Sequence, residues 1–354
     1  MGIYLKVLPA ANGDSFLIKI REKEFSKNIL IDGGKGVLCQ SKLKQEFQNI
    51  KQTNDSIDLL IVTHIDDDHI SGILKLYQDK KVDKSIVKEV WFNSGILMSK
   101  QFSGQEDSLR EIPLAQISRK MSVTQGITLE DELKKSGNWY QGLITSEIRS
   151  SIDNTKITVL SPDLEILKDL NIKWIKEMEK LKRKKNMRKK MSASTDYHHS
   201  YNELCKNVFE EDNSLFNKSS IAFLLEHEDK KLLMLGDSHP SVIINSLHEL
   251  GYCETNKLKV DLMKVSHHGS KKNTNVELLK MIDCVNFVVS SDGSKHGLPN
   301  KECLSRIICT INKPLNFYFN YSSMNRIFTA EECRDLNINC IFLTEDNDYT
   351  LEVR

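Results

Sequence analysis

Short apolar runs separated by glycine turns fill the first third of the chain, at residues 4–8, 15–20 and 28–31, the last running directly into Asp32, Gly33 and Gly34. Alternation with a period of two predicts half-buried strands, here the antiparallel start of a sheet. Residues 57–62 are almost uniformly apolar, as expected of a strand covered on both faces. They deliver Thr63 and His64 to a polar loop, after which residues 70–76 carry helical spacing. The pattern weakens between about 94 and 217. Short helices are predicted at 109–121 and 129–135, a strand at 157–160, and a helical stretch over 163–191. Strands return at 220–225 and 231–235, a hairpin ending at Gly236 and Asp237. A helix over 239–250 and a strand over 258–265 follow, the strand ending at Ser266, His267, His268, Gly269 and Ser270. A further helix and strand reach residues 288–293, with His296 just beyond. The recurring event is a polar cluster at the end of an apolar strand, and such ends can meet at one rim of a sandwich.

Composition changes this picture little. With 39% hydrophobic and 28% charged residues the chain has ordinary globular values, and no run approaches the roughly 20 apolar residues that span a bilayer. A start that alternates like a strand, without a basic and then apolar leader, points to a cytoplasmic protein with no membrane insertion. Eight cysteines without a CxxC pair read as reduced thiols rather than a disulfide framework or zinc ribbon. Charge matters more. The net charge is only +1, yet Lys180, Lys182, Arg183, Lys184, Lys185, Arg188, Lys189 and Lys190 lie together without an acid, so the remainder is net acidic. This segment is either a solvated helix face or a local site for a polyanion or a protein partner. No matching apolar face suggests a membrane surface.

The densest chemistry is His64, Ile65, Asp66, Asp67, Asp68 and His69. Alternate residues of an extended loop point the same way, so His64, Asp66 and Asp68 can converge while His69 enters at the turn. Imidazole nitrogen with carboxylate oxygen suits Zn²⁺, Mn²⁺ or Fe²⁺. An acidic helix N-cap would explain the aspartates, but not two histidines at this spacing.

This run resembles the signature motif of the metallo-β-lactamase superfamily, in the variant with aspartate for the middle histidine. Asp32 resembles the first-motif aspartate that supports the metal from behind, Asp237 the metal-bridging aspartate, and His267 with His268 the final histidine motif. More narrowly, Asn12-Gly13-Asp14-Ser15-Phe16, the Ser-His-His-Gly-Ser run and the late His296 resemble the soluble hydrolase domain of ComEC-type bacterial DNA-uptake proteins and their free-standing relatives. The resemblance implies an α/β fold, a four-layer αββα sandwich, as one domain over residues 1–354 with a helical, partly basic insertion at about 94–217. It also implies two divalent ions, Zn²⁺ or Mn²⁺. The first would be held by His64, Asp66 and Asp237; the second by Asp68, His69, Asp237 and one of His267 or His268, with His267 slightly favoured. A third-motif histidine is missing, and Phe216, Asn217, Lys218, Ser219 and Ser220 stand in its place. His198 or His199 is a weaker substitute.

Two such ions can hold a bridging hydroxide and neutralise a phosphorane-like transition state. Asp66 or Asp68 would accept the proton of the attacking water, and His296 would bind a phosphate oxygen or protonate the leaving group. Ser270, Lys271 and Lys272 are further anion donors, although a charged turn explains the lysines equally well. His227, His239 and His248 read as surface or helix-associated, and Trp91, Trp139 and Trp174 as packing residues. The expected function is a metal-dependent nuclease or phosphodiesterase with nucleic acid, DNA before RNA, as substrate. Lys182, Arg183, Lys184, Lys185 and Arg188 would contact its backbone. Two alternatives stand beside it: a small-molecule hydrolase for a cyclic nucleotide, phosphocholine ester or lactone, and a non-catalytic, metal-stabilised regulatory subunit of a bacterial defence or DNA-processing system.

Overall fold

Strand alternation sorts the apolar side chains onto two faces of each of two sheets, and all four faces find cover. The computed structural model describes residues 2–22, 26–103, 122–183 and 194–353. The first sheet contains β1 (Gly2–Val7), β2 (Phe16–Arg21), β3 (Ser26–Ile31), β4 (Leu59–Ile61) and β5 (Val90–Trp91). The first three are antiparallel, and β3, β4 and β5 run parallel. The second sheet contains β6 (Arg149–Ile152), β7 (Thr155–Ser161), β8 (Ala222–His227), β9 (Lys230–Met234), β11 (Leu262–Lys264), β13 (Asn286–Val289), β14 (Leu315–Phe319) and β15 (Ile338–Phe342). A separate ribbon pairs β10 (Leu258–Lys259) with β12 (Ile282–Asp283). The last strand, β16 (Thr350–Val353), returns to the first sheet, placing Val353 opposite Ile3 on β1.

Ile18, Ile20, Ile29 and Ile61 from one sheet pack against Ile157, Phe223, Leu225, Leu232 and Val288 from the other. Their neighbours face outward. Leu17, Leu30 and Leu60 meet α1 (Val37–Gln52), α2 (Asp67–Gln78), α3 (Gly95–Ser103), α4 (Ser122–Ser136) and α5 (Leu164–Arg183). The short helices α6 (Tyr201–Leu204) and α7 (Leu215–Lys218) follow. Leu224, Leu233, Met263 and Phe287 meet α8 (Pro240–Glu249), α9 (Val276–Lys280) and α10 (Lys301–Ile311), and α11 (Ala330–Asp335) packs on β15. The result is the αββα sandwich of the metallo-β-lactamase fold. Each large side chain buried in it contributes about 1.5–3 kcal/mol. Trp91, Trp139 and Trp174 are all buried in these cores.

Several boundaries differ from the sequence reading. The strand expected over 258–265 is broken, because the Asp261 carboxylate accepts from Lys231 N at 2.8 Å while its own amide donates to Lys231 O at 2.9 Å. The chain thereby changes from β10 in the ribbon to β11 in the sheet. The helix expected at 129–135 extends over α4, whereas 109–121 lies outside the described residues. Of the helical stretch 163–191, α5 accounts for Leu164–Arg183. Lys182 and Arg183 are in its last turn, and Lys184, Lys185 and Arg188 lie outside the described residues. Residues 149–161 form β6 and β7 at the edge of the second sheet. His227 is buried rather than superficial, against Thr155 Oγ1 at 2.9 Å, while His239 is helix-associated as the N-cap residue of α8 and is also buried. All eight cysteines are free. Among the described residues no helix is long and apolar enough to cross a membrane.

Parallel strands expose their carboxyl ends on the same side. Asp32 follows β3, His64 follows β4, Asp237 follows β9 and His267 follows β11, so the sandwich brings all four to one rim.

Candidate metal centre

Asp237 Oδ2 is the point on which the rim converges. It lies 3.3 Å from His69 Nε2, 3.4 Å from His268 Nε2, and 3.8 Å from both His64 Nε2 and His267 Nε2. His64, His69, His268 and Asp237 are buried, with His69 and His268 Nε2 atoms 3.3 Å apart.

Each imidazole is also held from behind through Nδ1. His69 Nδ1 donates to Asp32 Oδ2 at 2.7 Å, and the other oxygen of Asp32 accepts from Thr63 N at 2.8 Å. His268 Nδ1 lies 3.1 Å from both Asp14 Oδ1 and Ser290 O. His267 Nδ1 lies 2.9 Å from Asn273 Oδ1, and His64 Nδ1 is flanked by the hydroxyls of Thr63 at 3.1 Å and Ser220 at 3.4 Å. Oxygen on Nδ1 keeps a proton there and turns Nε2 inward, where an ion would take the place of any second proton, the arrangement typical of ligating histidines.

The aspartates of the loop divide by direction. Asp66 is the N-cap residue of α2 but makes no side-chain capping bond, so capping does not account for it. Its Oδ2 instead lies 3.8 Å from His64 Nε2, and its Oδ1 accepts from Ser122 Oγ at 3.3 Å. Asp67 turns away, to Lys35 and to Gln125 Nε2 at 2.8 Å. Asp68 accepts from Asn12 Nδ2. The Asn12 loop can lie this close because Gly13 has no side chain: a Cβ there would stand 1.9 Å from Asp68 O.

A buried lysine stands under the centre. Lys264 Nζ donates to Gly236 O at 2.6 Å, pairs with Asp14, and lies 3.6 Å from Asp237 Oδ1. Burial opposes ionisation of Asp14 and Asp237, but the cations around them prevail, Lys264 first for Asp14 and His268 first for Asp237, so both carboxyls are held below their usual range. Burial acts to lower His268, yet the Asp237 and Asp14 carboxylates outweigh it and push it up to about 10. Burial and the neighbouring His69 push His64 down to about 3, leaving a neutral imidazole. Partial burial, then the Asp68 carboxylate, push Asp66 up to about 6.

These residues fit a divalent cation. Asp14, His69, Asp237 and His268 each offer a ligand atom, all within 4.8 Å of one another. His64 Nε2 is buried without a hydrogen-bond partner among the described residues, a costly state that a cation would relieve. Neutral nitrogen with ionised carboxylate is the donor chemistry of Zn²⁺ and Mn²⁺.

Beside the centre opens a cavity of about 710 Å³ lined by His198, His199, His267, Ser270, Lys271, Lys272 and His296. Lys271 Nζ pairs with Glu302 at 3.1 Å, and His199 lies 3.9 Å from Glu203. One wall is pinned by Asp196, whose carboxylate accepts from Lys301 N at 2.9 Å and Glu302 N at 3.0 Å at the start of α10. Sequence reasoning missed Asp14 and Lys264 as parts of the centre, although Asp14 lies inside a motif it used and Lys264 in the strand that leads to another. Of the residues that surround His267 from behind, Asp212 and Asn273 carried no sequence signal, and Asn217 was marked only by standing in the third-motif place.

Residues 9–135 match the family model of the metallo-beta-lactamase superfamily, a stretch that contains Asp14, Asp32 and residues 64–69 but ends before Asp237. No curated protein matches the chain. Among solved structures, the metallo-beta-lactamase fold protein YhfI from Bacillus subtilis is similar at 12% identity and a TM-score of 0.44, covering 99% of this chain and 100% of that one. Zn²⁺-bound PqqB from Methylobacterium extorquens is similar at 10% identity and a TM-score of 0.42, covering 96% of this chain and 97% of that one.

Proposed function

We propose that this protein is a two-metal-dependent hydrolase acting on phosphodiesters, most simply a nuclease with DNA as the favoured substrate. The observation that carries the reading is the convergence of four imidazole nitrogens, three of them buried and that of His267 partly exposed, on one oxygen of Asp237. His64, Asp66, Asp68, His69, Asp237 and the His267–His268 pair would hold the ions, with Asp32 and Asp14 orienting His69 and His268. When bound, such ions acidify water and neutralise charge developing on a phosphoryl group.

The chain's own groups supply the rest. Asp66 or Asp68 would accept the proton of the attacking water. His296, on a left-handed turn and lining the same cavity as His267, would bind a phosphate oxygen or protonate a leaving group. Ser270, Lys271 and Lys272 add donors along the cavity for further oxygens. The motif resemblance to ComEC-type domains supports the same substrate class, since fold alone does not select one.

The test is elemental analysis of the purified protein, followed by assays of metal-free and Mn²⁺- or Zn²⁺-loaded protein. Substrates are DNA, RNA and small phosphodiester and lactone compounds. Metal-dependent cleavage of DNA supports the reading. Cleavage that persists without metal overturns it, turnover of lactones alone assigns a small-molecule hydrolase, and bound ions without any turnover assign a regulatory subunit.

A further inference from the structure

We propose that His267 is itself a metal ligand, taking the position left open by the missing third-motif histidine, so that the adjacent pair His267–His268 divides between two ions sharing Asp237. The inference rests on the metal-dependent reading above and deepens it.

The two histidines belong to different sides of the centre. His268 sits with His69, their Nε2 atoms 3.3 Å apart, and both join Asp14 and Asp237 in the group within 4.8 Å. His267 lies outside that group, and its Nε2 is as far from Asp237 Oδ2 as is that of His64, 3.8 Å. It therefore does not compete with His268 for one position. It is also close enough to Asp66 to act on that carboxylate electrostatically, so it offers a further donor on the side of His64 and Asp66.

The tautomer agrees. Asn273 is fully buried, and its amide nitrogen is committed to oxygens, Asp237 O at 3.2 Å and Asp212 Oδ2 at 3.3 Å. Its Oδ1 must then face His267 Nδ1 at 2.9 Å, which places the proton on Nδ1 and the lone pair on Nε2. Asp212 Oδ2, 3.6 Å from the same Nδ1, adds a second acceptor. A histidine that served only as a donor to substrate would need the opposite tautomer or a second proton. Asn217, which occupies the third-motif place, donates to Asp212 Oδ2 at 2.7 Å; its amide nitrogen also lies 3.4 Å from His267 Nδ1, farther than Asn273 Oδ1, so it stands behind His267 and not at Nε2.

The backbone carries a matching cost. His267 (φ 47°, ψ 54°) and His268 (φ 54°, ψ 25°) are consecutive left-handed residues, a conformation costing roughly 1–2 kcal/mol per non-glycine residue. It turns both rings toward Asp237, which an ordinary helical or extended pair would not do.

The test is Zn²⁺ stoichiometry and affinity of the full chain, His267→Ala, His268→Ala and Asn273→Ala, with circular dichroism to check folding. Two ions per chain are expected for the unaltered protein and one for each histidine variant. Asn273→Ala keeps the histidine but frees its ring, and one of its two ions should bind about 10–100-fold more weakly. This result supports the assignment whether or not phosphodiesters are cleaved. Two ions at unchanged affinity in His267→Ala, or in Asn273→Ala should the histidine variant not fold, overturn it. An unaltered protein that binds no ion overturns the metal reading and this assignment together.

Discussion

Lys264 Nζ lies 3.6 Å from Asp237 Oδ1, while the other oxygen of the same carboxylate faces the imidazoles. The lysine also pairs with Asp14, which orients His268, so one buried ammonium supports both the central carboxylate and a ligand's partner. Lys264→Met keeps the bulk and removes the charge, taking from Asp14 its main compensating cation and leaving it and Asp237 to the histidines alone. We expect a loss of about 3 kcal/mol in the metal-free protein, measured by urea denaturation. Saturating Zn²⁺ should recover part of it, because the ions supply the missing positive charge. Equal stability of the variant and parent would show that Lys264 has no such role.

Asp237→Ala removes the atom on which both sides of the centre depend. Metal content should fall to background and cleavage with it. The far-ultraviolet circular dichroism should be retained, because the two sheets pack through Ile18, Phe223 and their neighbours rather than through this carboxylate. Retention of two ions would refute a shared Asp237.

Gly72 and Gly33 let α2 and the loop after β3 touch. An added Cβ on Gly72 would lie 1.8 Å from Gly33 O, and the contact is pinned by Gly33 N donating to His69 O at 2.8 Å. Gly72→Ala should cost about 2–3 kcal/mol by displacing backbone. Since α2 carries Asp68 and His69, Zn²⁺ affinity should drop in the same variant, as read by chelator competition. A destabilised variant with unchanged affinity would separate the helix contact from the centre.

Metal uptake should release protons. His268, pushed up to about 10, and Asp66, pushed up to about 6, hold protons that an ion must displace. Protons and metal compete for the same atoms, so apparent affinity should weaken as pH falls, through His268 alone above about 6 and more steeply below it, where Asp66 protonates as well. Calorimetry in buffers of different ionisation enthalpy reads the proton count directly. Heats that do not depend on the buffer would contradict this protonation pattern.

Strand periodicity and the chemistry of single motifs are local properties, and the sequence by itself determined them. The alternation of Phe16, Leu17 and Ile18 or of Leu59, Leu60 and Ile61 already assigns side chains to opposite faces. A histidine with two aspartates and a second histidine in six residues already calls for a cation. What covers each face is not local. That β16 closes the first sheet against β1, or that Asp261 breaks one apolar run into two strands, depends on partners up to hundreds of residues away.

The same holds within the centre. His267 and His268 are chemically identical neighbours, and no spacing rule tells them apart. Only the fold places Asp14 behind one and Asn273 behind the other, each of which then sets a tautomer. Lys264 reads as one charge in an apolar strand until β11 is packed beside β9 and its ammonium meets Asp14 and Asp237. The loops that carry these residues are far apart in the chain, and the burial that gives their charges force exists only once the two sheets have closed.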